Sequence, residues 1–144
     1  MKVFLGGTCN DSKWRDKLIP MLKINYFNPV VEDWNEEARE QERQERKICD
    51  FCLYVITPAL AGVYSIAEVV DDSNKRPAKT VFCFLENDHF EYKSPEQKVH
   101  LEYKHAFGPS QIKSLQAVGK MIVQNGGVWL QSLQEVAEYL NRSC

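Results

Sequence analysis

The stretch "FCLYVIT" (Phe51–Thr57) carries no charge and is apolar at every position but the last. Strict alternation would mark a strand with one wet face. A continuous apolar run marks a strand covered on both faces, the signature of a parallel sheet between helices. Pro58 ends the run, and the next segment, "AGVYSIAEVVDD" (Ala61–Asp72), predicts a helix from about Val63 to Ser73. Glu68 sits inside that helix with Ile66, Ala67, Val69 and Val70 around it. An acid there either faces water beside a helix start, where the macrodipole favours it, or stands at the rim of the sheet where ligands bind.

The same alternation extends in both directions. "KVFLGG" (Lys2–Gly7) reads as a first strand closed by two glycines. "NDSKWRDKLIPMLK" follows as a helix capped by Asp11 or Ser12, with Pro20 as a kink. "NYFNPVV" (Asn25–Val31) is a second strand, and "EDWNEEAREQERQERK" (Glu32–Lys47) a solvated helix with paired charges. "TVFCFL" (Thr80–Leu85) is the fourth strand and "ENDHFEYK" a polar loop. "SPEQKVHLEYKHAFG" opens like a helix at Ser94, Pro95 and Gln97 and closes at Gly108 and Pro109. "SQIKSLQAVGKMIVQNG" is a further amphipathic helix and "GGVWL" a last strand. "QSLQEVAEYLNRSC" is a final helix, with Ser132 and Glu135 spaced as a capping box. This order predicts one α/β domain over residues 1–144. Its architecture is a flavodoxin-like or Rossmann-like three-layer sandwich around a five-stranded, mostly parallel sheet.

Composition narrows the function. Eighteen basic against twenty acidic residues give a net charge of −2, which argues against a binder of polymeric nucleic acid. No apolar run approaches the ~20 residues of a membrane span, and "MKVFLGGTCND" is too short in apolar residues for a secretory signal. Five cysteines, Cys9, Cys49, Cys52, Cys83 and Cys144, are an odd number that fits free thiols in a reducing cytoplasm. Cys49 and Cys52 make one CxxC with no second pair, and Cys52 falls inside a strand. His89, His100 and His105 have no metal-ligand spacing, so no metal or redox cofactor is expected.

In open parallel sheets ligands bind beyond the carboxyl ends of the strands. Three loops qualify: "GGTCND" after the first strand, "TPALAGVYS" after the third and "ENDHFEY" after the fourth. "GGTCND" is neither a GxGxxG nor a GK[ST] phosphate loop. It reads rather as a tight strand-to-helix turn. Trp14, Trp34, Tyr64 and Phe90 lie near this edge, while Asp71 and Asp72 read as solvated.

Four blocks, "KVFLGGTCNDSKWRDKLIP", "YFNPVVEDW", "CDFCLYVITPALAGVYSIAEVVDD" and "KTVFCFL", jointly resemble the nucleoside 2-deoxyribosyltransferase-like proteins, closest to a small bacterial and phage subgroup. The resemblance covers roughly residues 2–85. It implies cleavage of an N-glycosidic bond by a glutamate that attacks C1′ of the sugar, followed by transfer to a second base or to water. The implied nucleophile is Glu68. Gly6, Gly7, Thr8 and Asn10 would line the sugar side, and Tyr64 and Ser65 would orient Glu68 or the ligand. Glu42 falls where the family has a sugar-binding acid, and Asp50 matches an aspartate that begins the third strand. Two positions depart from the pattern. Gly62 stands where transferases carry a base-contacting aspartate, and Phe4 where they carry a tyrosine bonded to the nucleophile. For a phosphorylated substrate, helix-start N–H groups, Ser65, Lys13 and Arg15 are the candidate contacts. The implied partner is a nucleoside or nucleotide, with no cofactor, and the implied assembly is a homodimer or larger. The rival reading is a non-catalytic nucleotide-binding or sensing module on the same fold.

Overall fold

The computed structural model describes residues 1–9, 12–93 and 100–142. Five strands form a wholly parallel sheet: β1 (Lys2–Gly7), β2 (Asn25–Phe27), β3 (Phe51–Ile56), β4 (Thr80–Phe84) and β7 (Val128–Leu130). Their order is β2-β1-β3-β4-β7, the flavodoxin-like order, with β1 and β3 adjacent where the winding reverses. The helices are α1 (Trp14–Leu18), α2 (Glu36–Ile48), α3 (Tyr64–Lys75), α4 (Pro109–Gln124) and α5 (Leu133–Asn141).

Successive side chains of the central strands alternate between two buried layers. Val3, Leu5, Leu53, Val55, Val81 and Cys83 pack with Trp14 and Leu18 of α1 and with Val136 and Leu140 of α5. Phe4, Cys52, Tyr54, Ile56, Phe82 and Phe84 pack on the other face with Val69 of α3 and with Leu115 and Ile122 of α4. This is why the strands read as unbroken apolar runs. No described helix is long and apolar enough to cross a membrane.

The element limits differ from expectation in physical ways. The first helix is five residues long and passes at Ile19–Met21 into a 3₁₀ turn containing Pro20. The second strand stops at Phe27, before Pro29. Asn35 caps α2 by accepting the Ala38 N–H at 2.9 Å, so residues 32–35 are not helical. The expected helix after the fourth strand is corrected most. Instead, β5 (Asn87–Lys93) and β6 (His100–Ala106) pair antiparallel as a hairpin. Phe90, Tyr92, Leu101 and Tyr103 alternate with charged residues at period two, and this β pattern outweighs the helix-like opening at Ser94–Gln97. Residues 94–99 lie outside the described residues.

The two central strand ends are locked together. Thr8 N–H donates to Val55 O at 2.9 Å, and Thr57 N–H donates to Thr8 Oγ1 at 2.8 Å. Gly7 makes this approach possible. Its φ is +116°, and a Cβ there would stand 2.1 Å from Val55 O. Gly7→Ala should therefore cost about 2–4 kcal/mol, combining left-handed strain with a backbone clash. Urea unfolding of the variant checks this; an unchanged midpoint contradicts the packing described.

Candidate active site

The reversal of winding between β1 and β3 opens a cleft of about 670 Å³ at the carboxyl edge of the sheet. Gly7 at the end of β1, with Thr8 and Cys9 after it, forms one wall, and Leu60–Gly62 with Tyr64, Ser65 and Glu68 form another. A third wall comes from Pro29–Glu32 and Trp34 after β2, joined by Glu42 of α2. The loop after β2 was not expected at the site. The loop after β4 reaches the same edge but is absent from the cleft lining. There Asp88 turns inward and accepts Thr57 Oγ1–H at 2.6 Å.

Glu68 lies on α3, one turn from its start, and is 9 % exposed. Arg46 Nη1 donates to its Oε2 at 3.3 Å. Its Oε1 takes no hydrogen bond from a described residue, yet is not sealed from solvent. Burial drives the Glu68 pKa up to about 7, against the pull of Arg46 and with added repulsion from Glu42, Asp72 and Asp71. Burial likewise raises Glu42, whose Oε1 accepts the Trp34 indole N–H at 2.9 Å. Trp34 and Tyr64 meet edge to face, centroids 5.9 Å apart, and each is about half exposed.

Beneath Glu68, Asp72 is fully buried and holds Arg46 through two bonds, Nε–Oδ2 at 3.1 Å and Nη2–Oδ1 at 2.9 Å. Tyr54 O–H donates to the same carboxylate at 2.5 Å, and Arg76 also pairs with it. Burial pushes the Asp72 carboxyl upward, but the bonds from Arg46, Tyr54 and Arg76 outweigh it and keep the group below its ordinary value. The expectation that Asp72 is solvated is thus corrected, while Asp71 remains partly exposed between Arg46 and Lys75.

The other residues singled out in the sequence divide clearly. Gly7, Thr8, Glu42, Gly62, Tyr64, Ser65 and Glu68 all line the cleft. Gly6 does not; it lies beneath the rings of Tyr54 and Phe4, where a Cβ would come within 2.6 Å of Tyr54. Asp50 is at the opposite, amino edge of the sheet, accepting the Lys2 N–H at 2.7 Å and so tying β3 to β1. Asn10 lies outside the described residues. Phe4 stacks on Phe27 with centroids 6.0 Å apart and offers no hydroxyl to Glu68. Gly62 has open space where a side chain would point. Arg15 turns inward, donating to Leu5 O at 2.8 Å and Thr8 O at 2.7 Å, so it braces the loop and does not reach into the cleft. Cys49 and Cys52 are buried, with burial first among the causes that push each thiol to about 12. Such thiols are inert, and no described cluster could hold a metal ion.

Arg46 was not singled out from the sequence. It ends a run of Glu and Arg that reads as solvated, and only its place one turn before a cysteine-flanked strand distinguishes it.

The fold is that of a flavodoxin-like α/β protein, with a buried carboxylate in an aromatic-rimmed cleft at its switch point, where ligands of such folds bind. The chain belongs to the nucleoside 2-deoxyribosyltransferase-like family, whose model matches residues 1–88. Every cleft-lining residue falls inside that span. Neither the curated proteins nor the solved structures gave a match.

The raised pKa has a consequence for stability. Glu68 ionises near pH 4 in the unfolded chain but near pH 7 when folded, so the folded state loses stability as pH rises between the two. Glu68→Gln should match the wild type at pH 4 and exceed it at pH 8 by about 1–3 kcal/mol. Calorimetric Tm at the two pH values checks this, and an equal difference at both contradicts it.

Proposed function

We propose that the protein cleaves the N-glycosidic bond of a (deoxy)nucleoside and transfers the glycosyl group to a base or to water, with Glu68 as nucleophile. One observation carries this reading. Within the part of the chain that matches the family, Glu68 lines the cleft, is nearly buried, and its carboxylate takes a single long bond, from Arg46 at 3.3 Å. Glu68 Oε1 attacks C1′, the C1′–N bond breaks, and the base leaves with the electron pair and takes a proton from water. An acceptor base or water then attacks C1′, the C1′–Oε1 bond breaks back onto Glu68, and the acceptor's proton goes to solvent.

The lining supports roles for its neighbours. Trp34 and Tyr64 offer faces on which a base can stack. Glu42, fixed by the Trp34 indole, is set to accept from sugar hydroxyls. Tyr64 and Ser65 present first-turn N–H groups of α3, which lack intrahelical acceptors. The charge of the cleft favours an unphosphorylated substrate. Glu32, Glu42 and Glu68 line it, and among the described residues no lysine or arginine does. The empty space at Gly62 leaves that side without an acid to hold an acceptor base, which favours water as an acceptor.

Chromatography of a panel of nucleosides and their 5′-monophosphates, with and without free acceptor base, tests the reading. Free base should appear from nucleosides at least about tenfold faster than from monophosphates. Glu68→Ala should lower turnover about a thousandfold or more. The rate should rise with pH and level off above about 7, as Glu68 becomes ionised. Ligand binding with no base release from any substrate would favour the non-catalytic module.

A further inference from the structure

We infer that Arg46 is the positioning residue of this site: it holds Glu68 in place and keeps it competent to ionise, while Asp72 keeps Arg46 neutralised throughout the reaction. The inference rests on the reading of Glu68 as nucleophile. Arg46 is shared unequally. Asp72 takes two of its bonds, at 2.9 and 3.1 Å, and is itself fixed by Tyr54 at 2.5 Å and by Arg76. The Glu68 carboxylate receives one bond at 3.3 Å and its backbone O another at 3.4 Å, while the half-exposed Asp71 takes one at 3.2 Å. The guanidinium is therefore anchored from below, and its Nη1 meets Glu68 from a fixed position.

That division suits a carboxylate whose charge comes and goes. When Oε1 bonds to C1′, Glu68 becomes a neutral ester. A guanidinium paired only with Glu68 would then be a buried, unpaired cation, which is strongly unfavourable. Asp72 prevents this. Its permanent charge leaves Arg46 paired in both states, and Nη1 stays on Oε2, over which the carboxylate charge spreads again when the C1′–Oε1 bond breaks. Phe4, with no hydroxyl, leaves this task to Arg46. The groups facing Glu68 are Arg46 and Glu42 from α2, Asp71 and Asp72 from α3, and Tyr54 from β3. Arg46 is the one cation among them. Removing it leaves no cation among these groups to favour ionisation.

The test reads Glu68 directly. Carboxyl-carbon NMR of glutamate-labelled protein, with Glu68→Gln for assignment, follows its titration in the wild type, Arg46→Gln and Arg46→Lys. The acid limb of kcat/KM is measured alongside. Arg46→Gln should move the Glu68 titration upward by about one pH unit or more. It should carry the acid limb with it and lower kcat/KM about a hundredfold. Arg46→Lys should restore most of the titration. If Arg46→Gln fails to fold because the buried Asp72 keeps only Arg76 as a counter-ion, Arg46→Gln with Asp72→Asn removes both charges. Glu68 should still titrate higher there, since Arg46 acts on it more strongly than Asp72 does. A titration unchanged in these variants overturns the inference. Absence of turnover in the wild type overturns the functional reading instead, and the NMR titration still decides what Arg46 does.

Discussion

The molecule depends on one topological constraint: β1 and β3 lie side by side but send their following helices to opposite faces of the sheet. Trp14 and Leu18 of α1 go to one core layer and Val69 of α3 to the other. Neither helix can cover the strand ends between them, so a gap remains that only loops can wall. Gly7 and the Thr8–Thr57 lock bring the two strand ends close enough to give that gap a fixed floor. Arg15 adds rigidity by gathering the carbonyls of Leu5 and Thr8 from below. The cleft is thus a by-product of the fold, made stiff by a few polar contacts.

The chemistry comes from how charge is arranged beneath it. The layer between α2 and α3 holds Arg46 and the carboxylates of Asp72 and Glu68 in nearly dry surroundings. Asp72 gathers bonds from Arg46, Tyr54 and Arg76 and stays ionised. Glu68, four residues earlier on the same helix, gets little of that support and sits near neutrality. Two carboxylates one helical turn apart are thereby held in different states, one fully bonded and ionised, the other raised toward neutral pH. The cleft above them has an aromatic rim and, among the described residues, no cationic side chain in its lining.

Much of the fold was legible because parallel strands declare themselves. "FCLYVIT" and "TVFCFL" are apolar on both faces because both faces are covered, and the glycine and proline stops mark their ends. The place of Glu68 at the carboxyl edge of the sheet was legible from its distance to such a strand. Asp72 and Arg46 were not, since a buried ion pair has no local pattern and each looks like an ordinary surface charge. The hairpin of β5 and β6 was misread because Ser94, Pro95 and Gln97 imitate a helix start more loudly than the two-residue alternation announces a strand. Asp50 and Gly6 were assigned to the site through the resemblance. Asp50 stands at the wrong end of its strand, and Gly6 faces the Tyr54 and Phe4 rings in the core.

The most direct measurement is intact-mass analysis of the protein, quenched in acid during incubation with a deoxynucleoside and followed by peptide mapping. The account predicts a mass increase of one deoxyribosyl group, mapped to the peptide carrying Glu68 and absent from Glu68→Gln. A deoxyribosyl group on another residue, or base release with no adduct at any quench time, would contradict Glu68 as the nucleophile.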